Sequence, residues 1–166
     1  MRALVLAVAL AACAHDAAAP RLPPIVGRVR ALDGESLSFG ALRGKPSLIL
    51  VMTTWANPAL IEVPHFAAIA RRFGDRIQVL AVALDDRPEP VVLFARTFDV
   101  PFPVYVPDDA AEFVSARGPL GAVAIIPTSA LVTAFGEVSA RVEGVWPPGA
   151  LEAAIEQLLA DDRTNR

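Results

Sequence analysis

The chain predicts an α/β fold: a central mixed β-sheet with helices on both faces and an N-terminal β-hairpin. Three observations carry this. Residues 47–53 (SLILVMT) are almost wholly apolar, as a strand covered on both faces requires, and they lead into a helical pattern from Pro58 to Phe73. Extended apolar runs then alternate with helical ones through the middle of the chain, which calls for parallel strands joined by crossovers. Two last extended runs, 128–134 and 137–142, meet at Phe135-Gly136, so an antiparallel hairpin closes the sheet.

The elements follow in order. Residues 25–32 and 36–39 are short extended runs around Asp33-Gly34, a turn pair that makes them a hairpin. Residues 41–45 (ALRGK) connect this hairpin to the 47–53 strand. The 58–73 helix is expected to take Asn57 as its cap and Pro58 at its first position. Ala59, Val63, Phe66, Ala67, Ala70 and Phe73 give it one apolar face. Pro64 removes a hydrogen bond inside the helix and should kink it, and Gly74 should end it. Residues 77–84 form the next buried strand. Asp86 is placed to cap a helix from Pro88 to about Phe98, and 102–106 is a short extended segment. Asp108 and Asp109 lead a short helix up to Ala116. A last helix starts near Pro148 and buries Leu151, Ile155, Leu158 and Leu159, leaving 161–166 as a solvated tail.

At 166 residues the chain can bury one substantial core, and residues 25–160 are expected to form a single domain. Its hydrophobic fraction, 54%, is high, but alanine and the N-terminal segment supply much of it. No apolar run reaches the ~20 residues of a spanning helix. The net charge of −3 offers no basic face for nucleic acid, which is excluded as a partner. Cys13 is the only cysteine, so no intramolecular disulfide can form. Residues 1–12 pair Arg2 with a short apolar core, as a secretion signal does. Leu10-Ala11-Ala12-Cys13 resembles the lipobox of bacterial lipoproteins. That resemblance implies cleavage before Cys13, a lipid on its thiol, and a protein held to a membrane of the bacterial cell envelope, facing the periplasm or exterior. Residues 13–24, rich in alanine and proline, would then be the lipidated tether. Ordinary cleavage at Ala17-Ala18-Ala19 is the alternative.

The most informative stretch is 45–64, KPSLILVMTTWANPALIEVP, where a buried strand feeds a helix N-terminus. Free backbone N–H groups and the positive end of the helix dipole meet there. Trp55 with Pro58, then Glu62 and Pro64, and later Ile126-Pro127-Thr128 together resemble the thioredoxin fold, in particular the membrane-tethered thiol-disulfide oxidoreductases of the TlpA/ResA type. Those proteins read roughly W-C-x-P-C-x-x-E-x-P where this chain reads Trp55-Ala56-Asn57-Pro58-Ala59-Leu60-Ile61-Glu62-Val63-Pro64. The resemblance therefore puts the two cysteines at Ala56 and Ala59, and Ile126-Pro127-Thr128 on the family's cis-proline loop. Alanine has neither an ionisable group nor a nucleophile, so thiol exchange cannot run on these positions. Leu50 stands where many thioredoxins carry a buried, proton-relaying aspartate. Thr53, three residues before Ala56, echoes the T-x-x-C of peroxiredoxins without its cysteine.

Other chemistries find little support. Gly40 to Pro46 superficially resembles a phosphate loop, but it is one residue short between the glycines and has proline where Ser or Thr would hold the metal. The doublets Asp85-Asp86 and Asp108-Asp109 read as helix caps, and Asp161-Asp162 as part of the tail. His65 on the first long helix and His15 in the tether have no clustered ligands, so no metal and no cofactor is implied. Nothing places a serine beside His65 for a triad. Trp55 is either a ring packed on the sheet edge or an anchor for a partner. Family members hold polypeptides in a groove beside the cis-proline. The resemblance accordingly implies a groove made by Trp55, Asn57, Pro58, Ile126, Pro127 and Thr128 that binds protein or peptide in the cell envelope. A helix N-terminus at Asn57 to Ala59 is also open to an anion. The expected function is a redox-inert, lipid-anchored binding module; the alternative is the family's thiol-disulfide oxidoreductase activity without its own cysteine pair.

Overall fold

A computed structural model describes residues 24–85 and 87–164. The expected signal segment, Cys13 as a lipidation site, the expected tether up to residue 23, Asp86 as a cap, and residues 165–166 lie outside them. Seven strands, β1 (Arg28–Ala31), β2 (Ser36–Ser38), β3 (Ser47–Met52), β4 (Gln78–Ala83), β5 (Val104–Val106), β6 (Thr128–Val132) and β7 (Val138–Glu143), form one sheet in the order β2-β1-β5-β4-β3-β6-β7. The helices are α1 (Asn57–Phe73), α2 (Pro88–Thr97), α3 (Ala110–Phe113) and α4 (Ala150–Thr164).

β3, β4 and β5 run parallel because α1 and α2 return the chain to the same end of the sheet each time. The remaining pairings are antiparallel, including both expected hairpins, β1–β2 and β6–β7. The mixed sheet thus follows from short turns at its two edges and crossovers at its centre. Every residue of β3 is buried, as its unbroken apolar run requires.

The two faces of the sheet divide the core. Leu48, Leu50 and Met52 pack with α1, α2 and α4 in one cluster that includes Phe66, Phe102, Trp146 and Ile155. Ile49 and Val51 face the opposite way, onto Phe39, Leu42, Phe113 and Leu120. The cover on that second face is thinner: α3, the loop after it, and a 3-10 helix at Phe39–Leu42.

Several local expectations are corrected. Phe39 to Leu42 is helical rather than the end of a strand and a loop, because both of its apolar residues turn into the core. Ala56, not Asn57, occupies the cap position of α1, and no side chain caps the helix. Asn57 is already its first residue. Pro64 lies inside α1, which is helical on both sides of it, and is exposed. α3 ends at Phe113 rather than Ala116, although Asp109 caps it as expected by accepting the Glu112 N–H at 2.9 Å. The 161–166 tail is largely helix: α4 continues to Thr164, and Asp162 is buried.

The β6–β7 turn requires its glycine. Gly136 has φ +88 and is buried, and a Cβ there would meet Arg43 Nε at 3.3 Å. Its carbonyl also accepts the Ile25 N–H at 2.8 Å, tying the domain's first residues to this turn. Gly136→Ala should lower the stability read from a denaturant midpoint by about 1–2 kcal/mol, the cost of a left-handed conformation for a residue with a Cβ.

Candidate functional site

The site follows from strand register. Val51 pairs with Thr128, so Pro127 stands beside the end of β3, from which the Thr53–Ala56 segment leads into α1. The peptide bond between Ile126 and Pro127 is cis. The sheet therefore brings Trp55, Ala56, Asn57 and Pro58 to the same end as Ile126, Pro127 and Thr128, although some seventy residues of chain separate them.

Both segments are tied down. Thr54 donates its backbone N–H to Asp85 Oδ2 at 3.0 Å, and its hydroxyl donates to Asp85 Oδ1. Asp85 thus holds the site loop to the end of β4 instead of capping a helix, which corrects the sequence reading. The Thr128 hydroxyl donates to the Ile125 carbonyl at 2.6 Å, and the Gly144 N–H donates to the Pro127 carbonyl at 2.7 Å. The cis-proline bend is pinned from both sides.

Trp55 is 78% exposed, which decides against a ring packed on the sheet edge. Ile125, two residues before the cis-proline, is 51% exposed. Leu60 and Ile61, in the first turns of α1, are exposed too. Between these apolar groups lie partly exposed Ala56, exposed Asn57 and half-buried Pro58. Ala59 is fully buried beneath them. Its N–H donates to the Ala56 carbonyl at 3.0 Å, so the two alanines are the ends of one tight turn. An attacking group at the first position would meet solvent and one at the second would not, the arrangement that thiol exchange through a mixed disulfide needs. Methyl groups occupy both places. Leu50, on β3, is fully buried in apolar surroundings. Thr53 is buried as well, and its hydroxyl makes no hydrogen bond among the described residues.

Sequence reasoning took Glu62 only as part of the motif and did not single out Trp146. Glu62 is 1% exposed, and its Oε1 accepts the Trp146 backbone N–H at 2.7 Å. Burial pushes the Glu62 carboxyl above the ordinary carboxylate range, against the pull of that N–H and of His65. The Trp146 indole N–H in turn donates to Ser129 Oγ, two residues beyond the cis-proline. The signal in the sequence was His65 at the i+3 position from Glu62, which puts both on one helix face. Among the described residues no cluster of His, Cys, Asp or Glu could hold a metal ion, and no helix is long and apolar enough to cross a membrane.

No protein-family model matches the chain. It is 28% identical over 81 residues to the thioredoxin-like protein YneN of Bacillus subtilis, a match that covers 47% of this chain and 48% of that protein, about half its length. It is 23% identical over 129 residues to the thiol-disulfide oxidoreductase ResA of Halalkalibacterium halodurans, covering 77% of this chain and 68% of ResA. Among solved structures, a thiol:disulfide interchange protein of the thioredoxin family from Chlorobium tepidum superposes with a TM-score of 0.71 at 20% identity, over 85% of this chain and 98% of that one. The order of strands and helices, the cis-proline and these likenesses agree. The chain has a thioredoxin-like fold, and its homologues include thiol-disulfide oxidoreductases of the TlpA/ResA type.

Proposed function

We propose that this protein is a redox-inert thioredoxin-like module that binds extended polypeptide in the groove between Trp55 and the cis-Pro127 bend. The observation that carries this reading is the pairing of an intact, exposed apolar rim with the absence of any thiol beneath it. Trp55 and Ile125 remain open to solvent while Ala56 and Ala59 replace the reactive groups. Large aromatic side chains supply anchoring area at low entropic cost, and an irregular segment next to a strand start offers backbone for pairing with an extended chain.

The same reading places the module in the bacterial cell envelope, anchored through a lipid on Cys13. Its support is the lipobox-like Leu10-Ala11-Ala12-Cys13 and the alanine- and proline-rich spacer after it. Cys13→Ser should release the protein from the membrane fraction and abolish incorporation of a labelled fatty acid.

The binding reading is tested with a fluorescein-labelled unstructured apolar peptide and its anisotropy on titration. Trp55→Ala should weaken binding at least tenfold while the far-ultraviolet circular dichroism stays unchanged. Equal affinity in the wild type and the Trp55→Ala variant would refute the groove. Thiol-disulfide oxidoreductase activity, the function in ResA's name, is the second reading. It would have to draw its thiol from a partner, because Cys13 is the chain's only cysteine. Turnover of a model disulfide by a Cys13→Ser protein, above the rate of the reductant alone, would favour that reading over the inert one.

A further inference from the structure

A polar seam runs through the otherwise apolar contact between α1 and α4. Glu62 Oε2 accepts no hydrogen bond among the described residues and faces His65 Nδ1 at 3.7 Å. The other ring nitrogen of His65, Nε2, lies 3.4 Å from Glu152 Oε1 on α4. Glu152 Oε2 is again buried without a hydrogen bond among the described residues. One imidazole therefore stands between two carboxyl groups on two helices. Through Glu62 Oε1 the same group reaches the Trp146 N–H in the segment that leads into α4. A second charged pair between these helices, Arg72 with Glu156 at 3.2 Å, lies farther along them.

The proton count of this trio matters. A neutral imidazole carries one N–H and can donate to one carboxylate only. Two ionised carboxylates around it would leave an acceptor unserved in a place where water is scarce, and buried acceptors without donors are costly. One added proton resolves this. A protonated Glu62 carboxyl donates its O–H to the ring, and the single ring N–H is then left for Glu152.

We propose that Glu62, His65 and Glu152 form a pH-operated clasp that fastens α1 to α4 and to the Trp146 segment, closed while the Glu62 carboxyl holds its proton and slack once it ionises. The clasp stands apart from the peptide-binding reading and does not depend on it. Its sign follows from Glu62. The carboxyl is held above its unfolded value, so the folded protein binds more protons than the unfolded chain in that window. The stability that the Glu62 carboxyl contributes is complete below its unfolded value, about 4.3, and is lost as pH rises through the folded value.

The tryptophans provide the reporter. There are two, and Trp55→Phe leaves only the buried Trp146. Emission of the Trp55→Phe protein and its urea midpoint are followed from pH 4.5 to pH 8.5. The expected result is a single red shift of Trp146 emission on raising the pH, with a parallel fall in the midpoint. Adding Glu62→Gln, which keeps an acceptor for the Trp146 N–H but cannot ionise, should remove both changes. Adding Glu152→Gln, which takes a negative charge from the half-buried side, should move the transition to lower pH. Emission and midpoint that do not change with pH in the Trp55→Phe protein would overturn the proposal. A transition that stays at the same pH in both glutamine variants would overturn it as well.

Discussion

Ala56→Cys together with Ala59→Cys, in a Cys13→Ser background, should yield a protein whose two thiols disappear on mild oxidation and return with dithiothreitol. The expectation rests on the turn and not on family likeness alone. The Ala59 N–H bonds to the Ala56 carbonyl, and the two methyl groups differ in exposure as an attacking and a resolving sulfur must. α1 has no side-chain cap, so its free N–H groups and dipole are available to stabilise a thiolate at the first position. In insulin reduction with dithiothreitol, the double variant should run at least tenfold faster than its parent. Two thiols that remain titratable after oxidant would show that the turn does not hold its sulfur positions in bonding geometry.

The second large effect concerns Leu50. Its side chain shares a sheet face with Ser129, its partner in the β3–β6 register, and with the α1 cluster. Leu50→Asp would put back the acid that many thioredoxins have there, in a place with no matching base. A carboxylate buried without compensation costs about 3–5 kcal/mol, on the scale of much of a domain's total stability. Burial would raise the new group's pKa, so it would enter the folded state protonated at low pH. The loss should therefore be smallest near pH 4 and grow as pH rises above the unfolded carboxylate value. Urea midpoints at pH 4.5 and pH 8 check both the size and the slope. A loss below about 1 kcal/mol at pH 8 would mean that water or a donor reaches position 50.

Much of the fold was legible because its signals are local. The apolar run in β3, the Asp33-Gly34 and Phe135-Gly136 turns and the Gly74 stop of α1 each lie within a few residues of what they control. The site's backbone frame was legible as well: Ala56, Ala59 and the cis-Pro127 bend lie at the same end of the sheet. What escaped is set by partners distant in sequence. Asp85 reads as a helix cap until the sheet brings Thr54 beside it. Glu62 reads only as a motif position until the Trp146 N–H arrives from the far side of the chain. Asn57 loses the cap position to Ala56 because the turn opens one residue earlier than the asparagine suggests. Leu42 is in the core because Ile49 and Val51 need cover on the second face, a demand that no window around residue 42 contains.

The bridge from Thr54 to Asp85 has a wider consequence. Nothing in it was ever supplied by sulfur: a hydroxyl, an amide and a carboxylate moor the loop to the neighbouring strand. The mouth of the cleft therefore stands with alanine at positions 56 and 59, because its scaffolding belongs to the sheet. Changes confined to the rim would therefore alter what the recess holds without disturbing the mooring beneath it.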